Sequence, residues 1–140
     1  MRISTKGRYG LAVMVVLGQA ENGVTAGDAA KTLGLSKIYL EQVFTLLKKG
    51  GLIQSTIGKG GGYRLILTPK EVTALDILKA TEVALFEETE KTVSTDQILE
   101  NTLGDVWGVL DSSVVTALSG VTLQDLIDKS KVSGEYSYDI

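Results

Sequence analysis

Three groups of side chains in this 140-residue sequence have types and spacings that could do chemistry. The first is the glycine run Gly58-Lys59-Gly60-Gly61-Gly62. Its composition suits a loop that cradles phosphate through backbone N–H groups. A P-loop, however, continues from Gly-Lys into Ser or Thr and opens a helix. Here Gly60 follows Lys59, and the run leads into Tyr63-Arg64-Leu65-Ile66-Leu67, whose β-branched and aromatic content reads as a strand. A nucleotide site is the weaker reading. The second group is the serine hydroxyls. With no His and no Cys in the chain, only Lys or a carboxylate could act as their base, and no motif pairs them. The same absence excludes disulfides, thiol catalysis and almost every transition-metal or iron–sulfur site. No clustered Asp/Glu loop suggests Mg²⁺ or Ca²⁺. The chain is therefore expected to be no enzyme and to need no cofactor.

The third group is the polar set Ser36, Lys37, Tyr39, Glu41, Gln42 and Thr45, with Ile38 among them. These are the donors and acceptors that match base edges. A glutamine amide pairs bidentately with adenine, and a carboxylate accepts from cytosine N4. Cations for phosphate contact lie on either side, at Arg2, Lys6 and Arg8 before the set and at Lys59 and Arg64 after it. The charge distribution agrees. Residues 1–70 carry ten basic and three acidic side chains, a balance of +7, whereas residues 71–140 carry four and fourteen, a balance of −10. A basic half joined to an acidic half suggests a polyanion-binding surface beside a part that must avoid it.

The elements that would hold these groups can be read from periodicity. Tyr9, Ala12, Val13, Val16, Leu17 and Ala20 recur at helical spacing, so residues 5–20 are a predicted helix. Thr25 with Asp28 is a short capping box for a second helix, which stops at Gly34. Ser36 caps a third, over residues 37–49, with Leu40, Val43, Phe44 and Leu47 as its inner stripe. Two helices joined by a short Gly-containing turn make a helix-turn-helix. The strands predicted over residues 52–57 and 63–67 add a hairpin, and the combination is a winged helix. The N-terminal half of its third helix is the part that enters the major groove.

Beyond Pro69, Thr73 with Asp76 opens a further helix to about residue 82, and an acidic loop follows at residues 87–90. Thr95 or Asp96 then caps a long helix reaching residue 118, about 35 Å at 1.5 Å per residue. Its apolar residues Leu99, Leu103, Val106, Leu110, Val114 and Ala117, with Trp107 beside them, need a partner. Either the helix lies across its own domain or it forms a homodimer seam, for which Leu99, Leu103, Val106, Trp107 and Leu110 are the candidates. Thr122 with Asp125 caps a last short helix over residues 123–127. The expected organisation is mainly α with a small β-hairpin: a DNA-binding region over residues 1–70, a helical dimerisation region over 71–128 and a mobile polar tail over 129–140. The apolar run at residues 11–17 is too short to span a membrane and follows Arg2, Lys6 and Arg8 without a cleavage site, so a cytoplasmic location is expected.

Four stretches resemble one family. Arg2-Ile3-Ser4-Thr5-Lys6-Gly7-Arg8-Tyr9-Gly10-Leu11, Tyr39-Leu40-Glu41-Gln42-Val43, Gly60-Gly61-Gly62-Tyr63-Arg64-Leu65 and Val121-Thr122-Leu123-Gln124-Asp125-Leu126 are similar, in that order, to motifs of the Rrf-two family of transcription regulators. The resemblance implies a dimeric winged-helix repressor with a long crossed dimerisation helix, acting on pseudo-palindromic double-stranded DNA. It also implies that Glu41 and Gln42 read bases. Many members hold an iron–sulfur cluster on three cysteines in the loop before the long helix. Here that loop, residues 83–94, has no cysteine, which places the chain with the cluster-free members. One of those represses cysteine metabolism and is a partner of cysteine synthase. This chain resembles it in its aromatic-rich end, Tyr138-Asp139-Ile140. An end of that kind can be captured by backbone N–H groups while a pocket takes the side chain. The resemblance thus implies a synthase docking on the tail, against the plainer reading of a tail without a role.

Several residues keep two readings. Tyr39 can pack or can place its hydroxyl on phosphate. Glu41 can read cytosine or be a solvated carboxylate. Lys48 and Lys49 can touch phosphate or water. Relatives often carry Arg near position 57 to enter the minor groove, and Ile57 departs from that; Lys59 or Arg64 is left to compensate. A second function also stands: a protein-interaction module that binds or inhibits a metabolic enzyme, with weak DNA binding.

Overall fold

The computed structural model describes residues 2–58, 61–90 and 96–138. The order of elements is α1 (Thr5–Gln19), α2 (Ala26–Leu33), α3 (Lys37–Lys49), β1 (Ile53–Thr56), β2 (Gly62–Leu65), α4 (Ala74–Thr81), a 3-10 turn (Val83–Phe86), α5 (Gln97–Ser119) and α6 (Leu123–Tyr138). The caps fall where the sequence places them. Thr25 and Asp28 form a reciprocal box at α2, and Thr73 and Asp76 do so at α4. Thr122 and Asp125 exchange the same two hydrogen bonds at the start of α6. Accepting the backbone N–H and the hydroxyl of Thr25 holds the Asp28 carboxyl below its usual value, and Thr122 does the same for Asp125. Gly34 ends α2 in the left-handed conformation, φ 67°, and the turn to α3 is residues 34–36. Ser36 caps α3 by accepting the Tyr39 N–H.

The core lies between α1, α3 and the elements that close over them. Val13, Met14 and Leu17 of α1 meet Leu40, Val43, Phe44 and Leu47 of α3, and Phe44 stacks on Tyr63 at 4.7 Å. Val72, Ile77, Leu123 and Ile127 belong to the same core, which therefore crosses the expected boundary at residue 70. Backbone hydrogen bonds stitch this closure: Ala74 N–H donates to the Val121 carbonyl at 2.8 Å and Leu123 N–H to the Val72 carbonyl at 2.7 Å.

Two elements differ from expectation. The last helix does not stop at residue 127 but continues to Tyr138. Its first turns are fixed by the Thr122 cap and by buried Leu123 and Ile127. Propagation from such a nucleus gains one hydrogen bond per residue, and the polar sequence contains no Pro to stop it. The segment after α4 is not all loop, since Val83–Phe86 forms a 3-10 turn.

The hairpin pairs antiparallel, Ile53 with Leu65 through Thr56 with Gly62. Its backbone is tied to the loop before α2, where Val24 and Tyr63 exchange N–H to carbonyl bonds of 3.0 and 2.8 Å. Gly62 makes this possible. Its φ is +117°, and a Cβ there would lie 2.5 Å from the Val24 carbonyl carbon. Backbone cannot yield as a side-chain tip can, so Gly62→Ala is expected to destabilise the protein by roughly 1–3 kcal/mol. Chemical denaturation should show the loss, and amide exchange should localise it to residues 24 and 63.

Candidate nucleic-acid interface

The buried stripe of α3 decides what its other face presents. With Leu40, Val43, Phe44 and Leu47 turned inward, Lys37, Ile38, Glu41, Gln42 and Thr45 are exposed together. Lys37 Nζ stands 4.0 Å from Glu41 Oε1, one turn on, so the carboxylate has a cation of its own on this face. The Thr45 hydroxyl donates to the Glu41 carbonyl at 2.9 Å, which leaves it only as an acceptor toward solvent. Ser36 Oγ instead accepts the Tyr39 N–H as the cap, a role that does not use its own O–H.

Helix α1 brings the cations. Its N-terminal end lies beside the first turn of α3 because Tyr9 and Tyr39 meet edge to face, 5.3 Å apart at 80°. That contact gives Tyr39 a packing role, and its ring is half-buried. Arg2, Lys6 and Arg8 are all exposed there. Arg2, Ser4, Thr5 and Arg8 line one open hollow of about 600 Å³, and Arg8 donates to the Thr5 hydroxyl at 3.2 Å. On the hairpin, Arg64 is exposed and Ile57 fully so. Lys59 and Gly60 lie outside the described residues. Lys48 donates to the Ser55 hydroxyl at 3.2 Å, bridging α3 to β1.

One participant has no signal in the sequence. The Ser4 backbone N–H donates to the Glu82 carboxylate, 78 positions away. The carboxylate sits at the positive end of α1, where a helix favours an anion. Gly7 admits it, since a Cβ there would lie 2.5 Å from Glu82 Oε1. Glu82 is also the C-cap of α4, so the basic end of α1 is pinned to the start of the segment leading to α5.

Of the expected seam residues, Leu99, Val106 and Leu110 are 44%, 55% and 49% exposed, while Leu103 and Trp107 are half-buried on the adjoining face. None of the 23 residues of α5 is buried. Tyr138 ends α6, and Asp139 and Ile140 lie outside the described residues. A groove of about 570 Å³ along α5 is lined by Gly104, Trp107, Gly108 and Asp111. Asp111 accepts the Thr89 N–H at 3.2 Å and the Thr89 hydroxyl at 2.8 Å, and Glu88 lines the groove beside them.

A helix-turn-helix with an exposed polar recognition face, a cationic helix end beside it and a hairpin wing define a winged-helix DNA-binding transcriptional regulator, not an enzyme. The chain belongs to the Rrf2 (Rrf-two) family: the family model described as an iron-dependent transcriptional regulator matches residues 3–129. It is 35% identical to the HTH-type transcriptional regulator CymR of Bacillus subtilis over 131 residues, 90% of this chain and 89% of that one. It is 33% identical to the HTH-type transcriptional regulator IscR of Aliivibrio salmonicida over 138 residues, 94% and 80% of the two chains. The solved structure of CymR, the global cysteine regulator of B. subtilis, superposes with a TM-score of 0.76, at 34% identity, covering 92% of this chain and 98% of that one.

The iron of the family description does not fit this donor set. The chain has no Cys or His, and an iron–sulfur cluster is held by thiolates, with histidine as the occasional substitute. Among the described residues no group of three or more His, Cys, Asp and Glu side chains could hold a metal ion.

Removing the pin at Glu82 should loosen one end of α1 selectively. Glu82→Ala is expected to cost up to about 1 kcal/mol, because the bond is charge-assisted but exposed. Hydrogen exchange should quicken over residues 4–8 while the α3 amides keep their protection.

Proposed function

We propose that the chain is a homodimeric repressor that reads a pseudo-palindromic operator with α3 and controls genes of cysteine and sulfur metabolism. The observation that carries the reading is the exposed face of α3, with Glu41 and Gln42 one turn inside the helix and the cations of α1 at its edge. Gln42 reads adenine, and Glu41 accepts from cytosine. Arg2, Lys6, Arg8 and Arg64 contact phosphate, and Lys59 joins them by its place in the sequence. These contacts set orientation, not sequence preference. The pathway follows from the likeness to CymR. The protein partner of this reading is cysteine synthase, on the strength of the family resemblance alone, and calorimetry of the full chain against that enzyme tests it.

Dimerisation rests on α5. A helix about 35 Å long with Leu99, Val106, Val109 and Leu110 in water has more apolar surface than a monomer would leave open. Two of its polar atoms, Glu100 Oε1 and Trp107 Nε1, are shielded from water without a hydrogen-bond partner. A two-fold pairing of α5 places the two α3 helices on half-sites about one DNA turn, or a multiple, apart.

Gel-shift titration with selected and scrambled duplexes tests the core of the proposal. Affinity should fall by roughly 0.9 log unit per log unit of salt for each phosphate contact. Gln42→Ala should remove roughly 1–3 kcal/mol of discrimination at one position per half-site, while Lys6→Ala weakens all duplexes alike. Equal affinity for scrambled DNA would instead favour the interaction-module reading. Val106→Glu with Leu110→Glu places charge on the seam without touching the monomer core, and sedimentation should find a folded monomer that no longer shifts operator DNA. A surviving dimer would place the seam elsewhere.

A further inference from the structure

We infer that Ile38 is a specificity-determining residue that reads the 5-methyl group of a thymine in the major groove. The inference rests on the reading of α3 as the recognition helix and deepens it. Ile38 is the second residue of α3, in the turn capped by Ser36, and it is 73% exposed. It adds nothing to the core, which takes Leu40, Val43, Phe44 and Leu47 from the opposite face of the helix. A β-branched side chain is also a poor choice for an exposed helical position on propensity alone. A single exposed isoleucine is unremarkable on most surfaces. Here its place decides, because its neighbours on the face are Lys37, Glu41 and Gln42, all polar and all exposed, and the N-terminal turn is the part of such a helix that meets base edges.

Base chemistry leaves one partner for it. Thymine alone presents an apolar group in the major groove, its C5-methyl. Ile38 and Gln42 are four residues apart on one ridge, which puts their Cβ atoms about 5–6 Å from each other. Stacked bases repeat every ~3.4 Å along a strand, so the two side chains reach the same base pair or neighbouring ones. An A·T pair offers both what they need, N6 and N7 of adenine for the Gln42 amide and the methyl of thymine for Ile38. The pair of residues therefore selects an A·T-containing step, with hydrogen bonds on one strand and apolar contact on the other. The ion pair between Lys37 and Glu41 lies alongside this ridge.

The test removes the methyl group from the DNA and the side chain from the protein, separately and together. The operator is first selected from random duplexes with the full chain. Each thymine is then replaced in turn by deoxyuridine, which lacks only the 5-methyl, and Kd is measured by fluorescence anisotropy for the wild type and for Ile38→Ala. Circular dichroism confirms that the variant is folded, as expected for an exposed position. At one thymine per half-site the wild type should lose about fourfold, the value of one buried methyl, and Ile38→Ala should lose nothing further. Equal losses in both proteins at every thymine, or no loss anywhere in the wild type, overturn the inference. If selection does yield an operator and Gln42→Ala relaxes it, such a result overturns the role of Ile38 alone. If selection yields no preferred sequence, the operator reading falls, and this inference with it.

Discussion

Helix α1 is the element around which everything else is arranged, and its backbone has to be approached closely for that to happen. A glycine inside a helix costs about 0.5–1 kcal/mol relative to alanine, yet α1 carries Gly7, Gly10 and Gly18. Each faces a neighbour that a methyl group would displace. A Cβ on Gly7 would meet the Glu82 carboxylate, one on Gly10 would lie 2.9 Å from Thr81 Cγ2, and one on Gly18 would lie 2.6 Å from Ile127 Cδ1. The three contacts set α4 against the front of α1 and α6 against its rear. Val13, Met14 and Leu17, on the same buried stripe of the helix as Gly7 and Gly10, meet α3. The orientation of α3 is thus set by a helix that is itself clamped at both ends.

The same clamp accounts for what was legible beforehand. Helix positions, the three Thr/Asp caps, the turn at Gly34 and the hairpin are local, and each follows from residues within a few positions of one another. The exposed face of α3 was legible for the same reason, since Leu40, Val43, Phe44 and Leu47 define its complement. What depends on distant partners was not. Nothing near Glu82 in the sequence indicates that its carboxylate meets the N-terminus of α1. The glycine-rich opening of α1 stood out as a family feature, but its reason, close approach by Thr81 and Glu82, is visible only once α4 is packed. The continuation of α6 to Tyr138 was missed because a polar stretch without an apolar stripe reads as tail when the anchoring of its first turns by Leu123 and Ile127 is unknown.

Charge gives the molecule a direction. The basic residues gather where α1 and α3 end together, whereas α5 and α6 begin on acids, Asp96 with Glu100 and Asp125 with Asp128. Acidic side chains in a first turn suit the positive end of a helix, so they serve local stability. The net charge of −3 is therefore a poor guide to any local surface, because it averages two halves of opposite sign.

The segment between α4 and α5 is tied at both ends without a thiolate, since the chain has no cysteine. A cluster ligated by three cysteines would tie the loop together through metal bonds. Here the ties are hydrogen bonds. Glu82 holds the Ser4 N–H at one end of the segment, and Thr89 gives both its N–H and its hydroxyl to Asp111 on α5 at the other. These bonds join α1 on one side and the long helix on the other through carboxylates. Their strength is lower than that of metal–thiolate bonds. The segment therefore links the N-terminal end of α1 to the surface of α5 through two carboxylates.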